Sequence, residues 1–210
     1  KQTTPTGGPR DTIPPRLVRA TPAHETTGYE GQRIALQFNE PVTVNNPREQ
    51  LLITPSVGKD FEMTVRKQTV YLDLNADLRD STTYTINFRE SIQDITEKNP
   101  APNLQLALST GTYTDSLYTA GHVYELLKGV PAQNAAVALY QAPDTFDIFA
   151  HTPEYLTLCD KDGYFLFQNL RPGTYYIYAF HDKNRNITVD SRSEAYGFLS
   201  EPIYLHPTAD

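Results

Sequence analysis

Apolar and polar residues alternate in several short runs over the first half of this chain. Between residues 13 and 113, apolar side chains recur at every second position in several short runs, and the residues between them are mostly polar. The clearest runs span 34–38, 61–65, 70–74, 84–88 and 104–108. Period 2 puts alternate side chains on opposite faces of a strand, so each run predicts a strand with one face in a core and one in water. About seven such strands, joined by short turns, predict a β-sandwich.

A second pattern of strands begins after residues 114–117. Strands are predicted near 120–124, 135–140, 155–159, 164–167, 174–180 and 203–205. The segment 141–153 is less regular and is predicted to be a loop, the kind of segment in which function varies. We therefore expect an all-β chain with two β-sandwich domains in tandem, at 13–113 and 114–210. Residues 1–12 carry almost no apolar side chains and are predicted to form a flexible tether.

The stretch 160–179 contains two strands with a turn before each. Asp160-Lys-Asp-Gly163 is typical of a hairpin turn, because glycine supplies the positive φ. If the alternate set from Phe165 to Ala179 faces the core, four large side chains point outward on what we expect to be adjacent strands. These are Tyr164, Leu166, Tyr176 and Tyr178. Either another part of the chain covers this face, or it is a platform for a protein or glycan partner.

Composition supports the all-β interpretation and excludes some functions. The chain has 14 Tyr and 9 Phe, with 16 Pro and 11 Gly to separate strands. Its net charge of −7, without a basic cluster, argues against binding to nucleic acid or to an anionic membrane surface. The one cysteine, Cys159, lies in an apolar run and is interpreted as a small core residue rather than a nucleophile.

Motifs in the first half resemble a known family. Residues 34–42 read Ile-Ala-Leu-Gln-Phe-Asn-Glu-Pro-Val, residues 78–86 read Leu-Arg-Asp-Ser-Thr-Thr-Tyr-Thr-Ile, and Ile92-Gln93-Asp94 follows. Together they resemble the bacterial Ig-like domain of the SbsA type, which occurs in S-layer and other surface proteins, over residues 14–111. The resemblance implies an Ig-like sandwich in an exported protein.

The second half resembles a different sandwich. Gly121-His122-Val123, Gly129-Val130-Pro131, Ala135-Ala136-Val137 and the stretch 160–179 are similar to the prealbumin (transthyretin-like) fold of carboxypeptidase regulatory-like and Cna-B-like modules. The tandem resembles exported lipoproteins of the Bacteroidetes. That implies a place in the cell envelope or at the cell surface, with lipid anchoring to the outer membrane in an untrimmed precursor. It implies no activity, since any enzyme joined to such a module lies in a separate domain.

One loop has the spacing of a calcium site. Its oxygen ligands would occupy positions 1, 3, 5, 7 and 9, with a later carboxylate. The residues are Asp182, Asn184, Asn186, Thr188 (through its carbonyl), Asp190 and Glu194. Ile187 replaces the usual glycine at position 6, and Glu194 comes one residue late. A polar turn that its own backbone hydrogen bonds hold is the other interpretation.

No catalytic set is evident in the sequence. The five histidines are scattered, and the HExxH, GxSxG and GxxxxGK[ST] motifs are absent. We therefore expect a non-catalytic cell-surface module, a spacer, adhesion or scaffold domain that presents or docks a partner. A carbohydrate-binding module, with or without calcium, and an accessory region of a larger enzyme are the alternatives.

Overall fold

The computed structural model describes residues 7–141, 152–182 and 196–208. Between residues 7 and 110, the described part of this half, the chain forms nine strands and one helical turn. They are β1 (Leu17–Thr21), β2 (Ile34–Phe38), β3 (Val42–Val44), α1 (Pro47–Gln50), β4 (Leu52–Thr54), β5 (Phe61–Arg66), β6 (Thr69–Leu74), β7 (Thr83–Asn87), β8 (Ile92–Asp94) and β9 (Gln105–Ser109). Seven more strands follow among the later residues that the structure describes. They are β10 (Leu117–His122), β11 (Ala136–Gln141), β12 (Tyr155–Leu158), β13 (Tyr164–Leu170), β14 (Gly173–Phe180), β15 (Tyr196–Phe198) and β16 (Ile203–Leu205).

Strands β1 to β9 form what we call the first sandwich. One sheet has the order β1-β2-β6-β5, the facing sheet has the order β4-β7-β9, and β3 pairs with β8 beside them. All of these pairings are antiparallel. Ile34, Leu36 and Phe38 from β2 meet Tyr84 and Ile86 from β7 in one buried cluster. The period-2 runs therefore supply the core, as the sequence predicts.

Strands β10 to β16 form the second sandwich. Its larger sheet runs β12-β11-β14-β15, with β16 also paired to β14, and its smaller sheet consists of β10 and β13. Phe165 and Phe167 of β13 pack against Tyr175 and Ile177 of β14 in a separate buried cluster. Inward positions from 165 to 179 thus build this core. The all-β fold class is confirmed, whereas the domain boundaries stay a prediction.

The connections around β13 differ from the sequence expectation. The Asp160–Gly163 turn exists: Asp160 Oδ1 accepts hydrogen bonds from the N–H groups of Asp162 (2.8 Å) and Tyr164 (3.0 Å), and Gly163 has a φ of 72°. However, β12 pairs with β11, and β13 pairs with β10. The turn therefore carries the chain from one sheet to the other, so the predicted hairpin is wrong. The turn residues specify the local bend but not which strand becomes the neighbour.

Candidate functional site

The two sandwiches meet along the outer face of the β4-β7-β9 sheet. Arg79 Nη2 donates a hydrogen bond to Glu154 Oε1 at 3.1 Å, and Arg171 Nη2 lies 3.6 Å from the same oxygen. The backbone N–H of Asp115 donates to Thr83 Oγ1 at 2.9 Å. One carboxylate thus joins a cation of the first sandwich to a cation of the second, and a backbone hydrogen bond fixes the connecting chain.

Apolar contact reinforces this junction. Leu52 of β4 is only 6% exposed, although it lies outside the core of the first sandwich. It joins a buried cluster with the β11 and β12 residues Ala136, Ala138 and Leu156. Burial of a leucine side chain contributes about 2 kcal/mol relative to its exposure, so the contact favours one fixed arrangement.

Strand β7 is buried on both faces for the same reason. Tyr84 and Ile86 face the core, while Thr83 and Thr85 on the opposite face are also buried. The prediction that the polar face of this strand lies in water is therefore wrong. Thr83 and Thr85 are β-branched residues of low polarity, and the second sandwich covers them.

A cleft of about 930 Å³ opens beside the junction, and both sandwiches line it. Its volume falls in the range, roughly 300–1,000 Å³, that is usual for ligand sites. The first sandwich contributes Asn87 and Gln105, and the second contributes Tyr118, Leu166 and Gln168. Several side-chain amides therefore line the cleft, beside apolar and charged residues, and the ring of Tyr118 lies among them.

Charges in the cleft are mixed. Arg89 and His24 line it together with Glu25, Glu90 and Asp160. His24 Nδ1 accepts a hydrogen bond from the N–H of Ala107 at 3.0 Å, so this ring is held by the backbone of β9. Such a lining offers no excess of cations to a phosphate or another polyanion.

The predicted outward face of four side chains is not one surface. Tyr164 and Leu166 lie on β13 in the two-stranded sheet, whereas Tyr176 and Tyr178 lie on β14 in the larger sheet. The outer faces of two packed sheets point in opposite directions, so the prediction that these four residues share a face is wrong. Tyr178 is half-buried, with its ring edge-on to Tyr140 at 5.7 Å.

Tyr164 and Leu166 instead share a face with residues of β10. The register pairs His122 with Tyr164 and Ala120 with Leu166, and the rings of His122 and Tyr164 lie 5.3 Å apart. Alternation on β10 adds Tyr118, which is 70% exposed. We call the exposed side of β10 and β13 the β10–β13 face. Sequence reasoning missed Tyr118 and His122 as members of this face, although both stand at alternate positions of the stretch Leu117–His122.

Most of the predicted calcium loop lies outside the described residues. This applies to Asn184, Asn186, Thr188, Asp190 and Glu194, while Asp182 is described and lines a smaller pocket with Glu49 and Arg89. Within residues 7–141, 152–182 and 196–208, no three His, Cys, Asp or Glu side chains are grouped as metal ligands. The calcium site stays a prediction.

Cys159 follows β12 and is buried in the core of the second sandwich. Its N–H donates a hydrogen bond to the carbonyl of Ala135 at 2.8 Å. Burial, with a smaller contribution from Asp160, raises the pKa of the thiol to about 11. A thiol that stays protonated at neutral pH is a poor nucleophile, which agrees with its interpretation as a core residue.

Among the described residues there is no helix of the length and apolar character that a membrane crossing requires.

No curated protein matches the sequence at a significant level. Solved structures match the fold only distantly. An L,D-transpeptidase from Mycobacterium smegmatis is 11% identical, with a TM-score of 0.33, over 62% of this chain and 63% of that chain.

Two further solved structures have similar values. For a variant of BcpA, the major pilin subunit of Bacillus cereus, the identity is 12% and the TM-score 0.29, over 89% of this chain and 63% of that chain. For the N-terminal part of the bacterial S-layer protein SbsC, the identity is 13% and the TM-score is 0.32. The match covers 88% of this chain and 43% of that chain. The chain thus spans less than two thirds of the length of these structures. One family model also matches, and it identifies residues 11–112 as similar to the bacterial Ig-like domain.

Proposed function

We propose that this chain is a non-catalytic module of the bacterial cell surface that holds a partner in a fixed position. The junction between the sandwiches is the observation that carries the proposal. A buried leucine, a carboxylate between two arginines and a hydrogen bond from the connecting chain hold one sandwich on the other. Tandem domains without such contacts would move independently. A fixed pair acts as a spacer or scaffold of defined length and direction.

The surface location has separate support. Residues 11–112 match the bacterial Ig-like domain. The whole tandem is proposed to be that of an exported lipoprotein of the Bacteroidetes. The second sandwich is proposed to be prealbumin-like, and the precursor is proposed to carry a lipid anchor to the outer membrane. A net charge of −7 fits a role in contact with solvent rather than with nucleic acid.

Labelling of intact cells tests the location. An antibody against the folded chain should stain intact cells of the source bacterium, and added protease should remove the staining. Staining that appears only after the outer membrane is opened would contradict a surface role. A periplasmic protein detected in the same samples provides the control for membrane integrity.

A further inference from the structure

The cleft and the β10–β13 face form one continuous surface. Tyr118, Leu166 and Gln168 belong to the exposed side of β10 and β13, and they also line the cleft. From Tyr164 to Gln168 the strand advances about 13 Å at ~3.3 Å per residue. A ligand that follows this surface would therefore be an extended chain rather than a single small ring.

Three polar groups along this surface have no hydrogen-bond partner among the residues that the structure describes. The side-chain amides of Gln105 and Gln168 make no hydrogen bond with another residue in the described ranges. The buried hydroxyl of Thr85 also has no hydrogen-bond partner there. Thr85 lines a gap of about 30 Å³ whose wall includes Gln105 and Gln168, and because these two residues also line the cleft, the gap adjoins it. Buried polar groups usually find a partner, which makes the Thr85 hydroxyl a candidate for contact with a ligand or with water. The amide of Gln105 is half-buried and that of Gln168 is exposed, so both are open to a ligand in the cleft.

The chemistry of these groups selects the ligand. A planar amide offers a donor and an acceptor side by side, and this arrangement matches a pair of neighbouring hydroxyl groups. The exposed ring of Tyr118 offers an apolar face with a polar edge, which suits the C–H face of a sugar. Mixed charge from Arg89, Glu90 and Asp160 disfavours a polyanion.

We propose that the cleft and the β10–β13 face together bind a neutral oligosaccharide. Tyr118 stacks on one sugar ring, the amides of Gln105 and Gln168 bind hydroxyl groups within the cleft, and His122 and Tyr164 contact the chain where it leaves. The inference rests on the fixed junction of the proposed function, because residues of both sandwiches line the cleft. It differs from the platform that is one of the two alternatives from the sequence, since Tyr176 and Tyr178 take no part.

A panel of neutral hexasaccharides with gluco-, xylo-, manno- and galacto-configurations tests the proposal. Each sugar is titrated into the whole chain by calorimetry, and the contact surface is mapped from NMR shifts. We expect at least one hexasaccharide to bind and to shift the amide signals of Gln105 and Gln168. No binding of any sugar in the millimolar range would overturn the proposal. Tight binding of a random peptide library at this surface instead of sugars would also overturn it.

Two variants locate the site. Tyr118→Ala and Gln168→Ala change exposed side chains and leave both cores intact, and each should weaken sugar binding about tenfold, which corresponds to the loss of one stacking or hydrogen-bonding contact. Tyr204→Ala is the matched control, because Tyr204 is 68% exposed on β16, away from the cleft. If Tyr118→Ala and Tyr204→Ala changed the affinity for the sugar equally, the proposed location of the binding site would be wrong. If the two sandwiches share one rotational correlation time but the chain binds no sugar, this inference is overturned and the proposed function still stands.

Discussion

Arg79 and Glu154 join the two sandwiches through a hydrogen-bonded ion pair, with Arg79 Nη2 3.1 Å from Glu154 Oε1. Arg79 belongs to the run 78–86 that resembles the bacterial Ig-like domain, while Glu154 follows the irregular segment of the second half. A pair that is partly exposed contributes about 1 kcal/mol or less by itself. It therefore orients the sandwiches, and the apolar contact at Leu52 supplies more of the stability of the junction.

Substitution of Leu52 tests the apolar contact. Leu52→Ala removes a buried side chain from the cluster with Ala138 and Leu156, and we expect it to lower the free energy of unfolding by about 3 kcal/mol. Urea unfolding at pH 7 measures this change. Leu126→Ala is the matched control, since Leu126 is 96% exposed and its loss should change stability by less than about 0.5 kcal/mol. Similar effects of the two substitutions would contradict the junction.

Asp94 explains why the Ile92-Gln93-Asp94 motif matters to the fold. Burial favours the neutral acid, but hydrogen bonds from the N–H groups of Glu97 (2.6 Å), Lys98 (2.9 Å) and Asn99 (3.1 Å) outweigh it and hold the pKa of Asp94 below its ordinary value. Because the pKa is lower in the folded chain, the ionised carboxylate stabilises the fold at pH values above the unfolded pKa of about 3.9. This stabilisation is lost as the pH falls through the folded pKa.

The substitution Asp94→Asn removes this effect and turns an amide NH₂ toward donors. We expect a loss of about 1–3 kcal/mol at pH 7 that becomes smaller as the pH falls below the unfolded pKa of about 3.9, for example at pH 3. Urea unfolding at both pH values measures it, with the exposed Asp77→Asn as the control. A loss of the same size at both pH values would show that the charge of Asp94 is irrelevant.

Asp115, in the connection between the sandwiches, should behave in the opposite way. Burial raises the pKa of its carboxyl group, although Thr83 and the charge of Arg171 offset part of the effect. Because the pKa is higher in the folded chain, the unfolded chain loses its proton first. The free energy of unfolding therefore falls as the pH rises through the unfolded pKa of about 3.9. Asp115→Asn should therefore be more stable than the wild-type chain at pH 7 and about equal to it at pH 3. Thermal melting at both pH values measures this, and a lower melting temperature for the variant at pH 7 would refute it.

Gly163 is required by the turn before β13. It has a φ of 72°, and an added Cβ would collide with the carbonyl oxygen of Val123, which accepts a hydrogen bond from Ala132 at 2.9 Å. We expect Gly163→Ala to cost about 2 kcal/mol or more, through strain and collision together. Gly28→Ala has positive φ but open space and should cost about 1 kcal/mol. Equal costs in urea unfolding would mean that the collision is relieved.

The sequence predicts the strands of this protein better than it predicts their neighbours. Alternation in runs such as 34–38 and 70–74 identifies strands and their buried face, because burial of one face requires that period. Pairing of β13 with β10 rather than with β14 depends on contacts between distant residues, and the turns at Gly163 and Pro172 carry no such information. Threonines at 83 and 85 are equally compatible with solvent and with a covering domain, so the junction and the cleft beside it could not be predicted.

The rotational correlation time of the two sandwiches tests the central claim most directly. ¹⁵N relaxation of the whole chain gives separate values for amides of the first sandwich and of the second. A fixed junction predicts one shared correlation time, appropriate to a particle of 23.7 kDa. Two different and shorter correlation times, one for each sandwich, would contradict the claim that the module holds its partner in a fixed position.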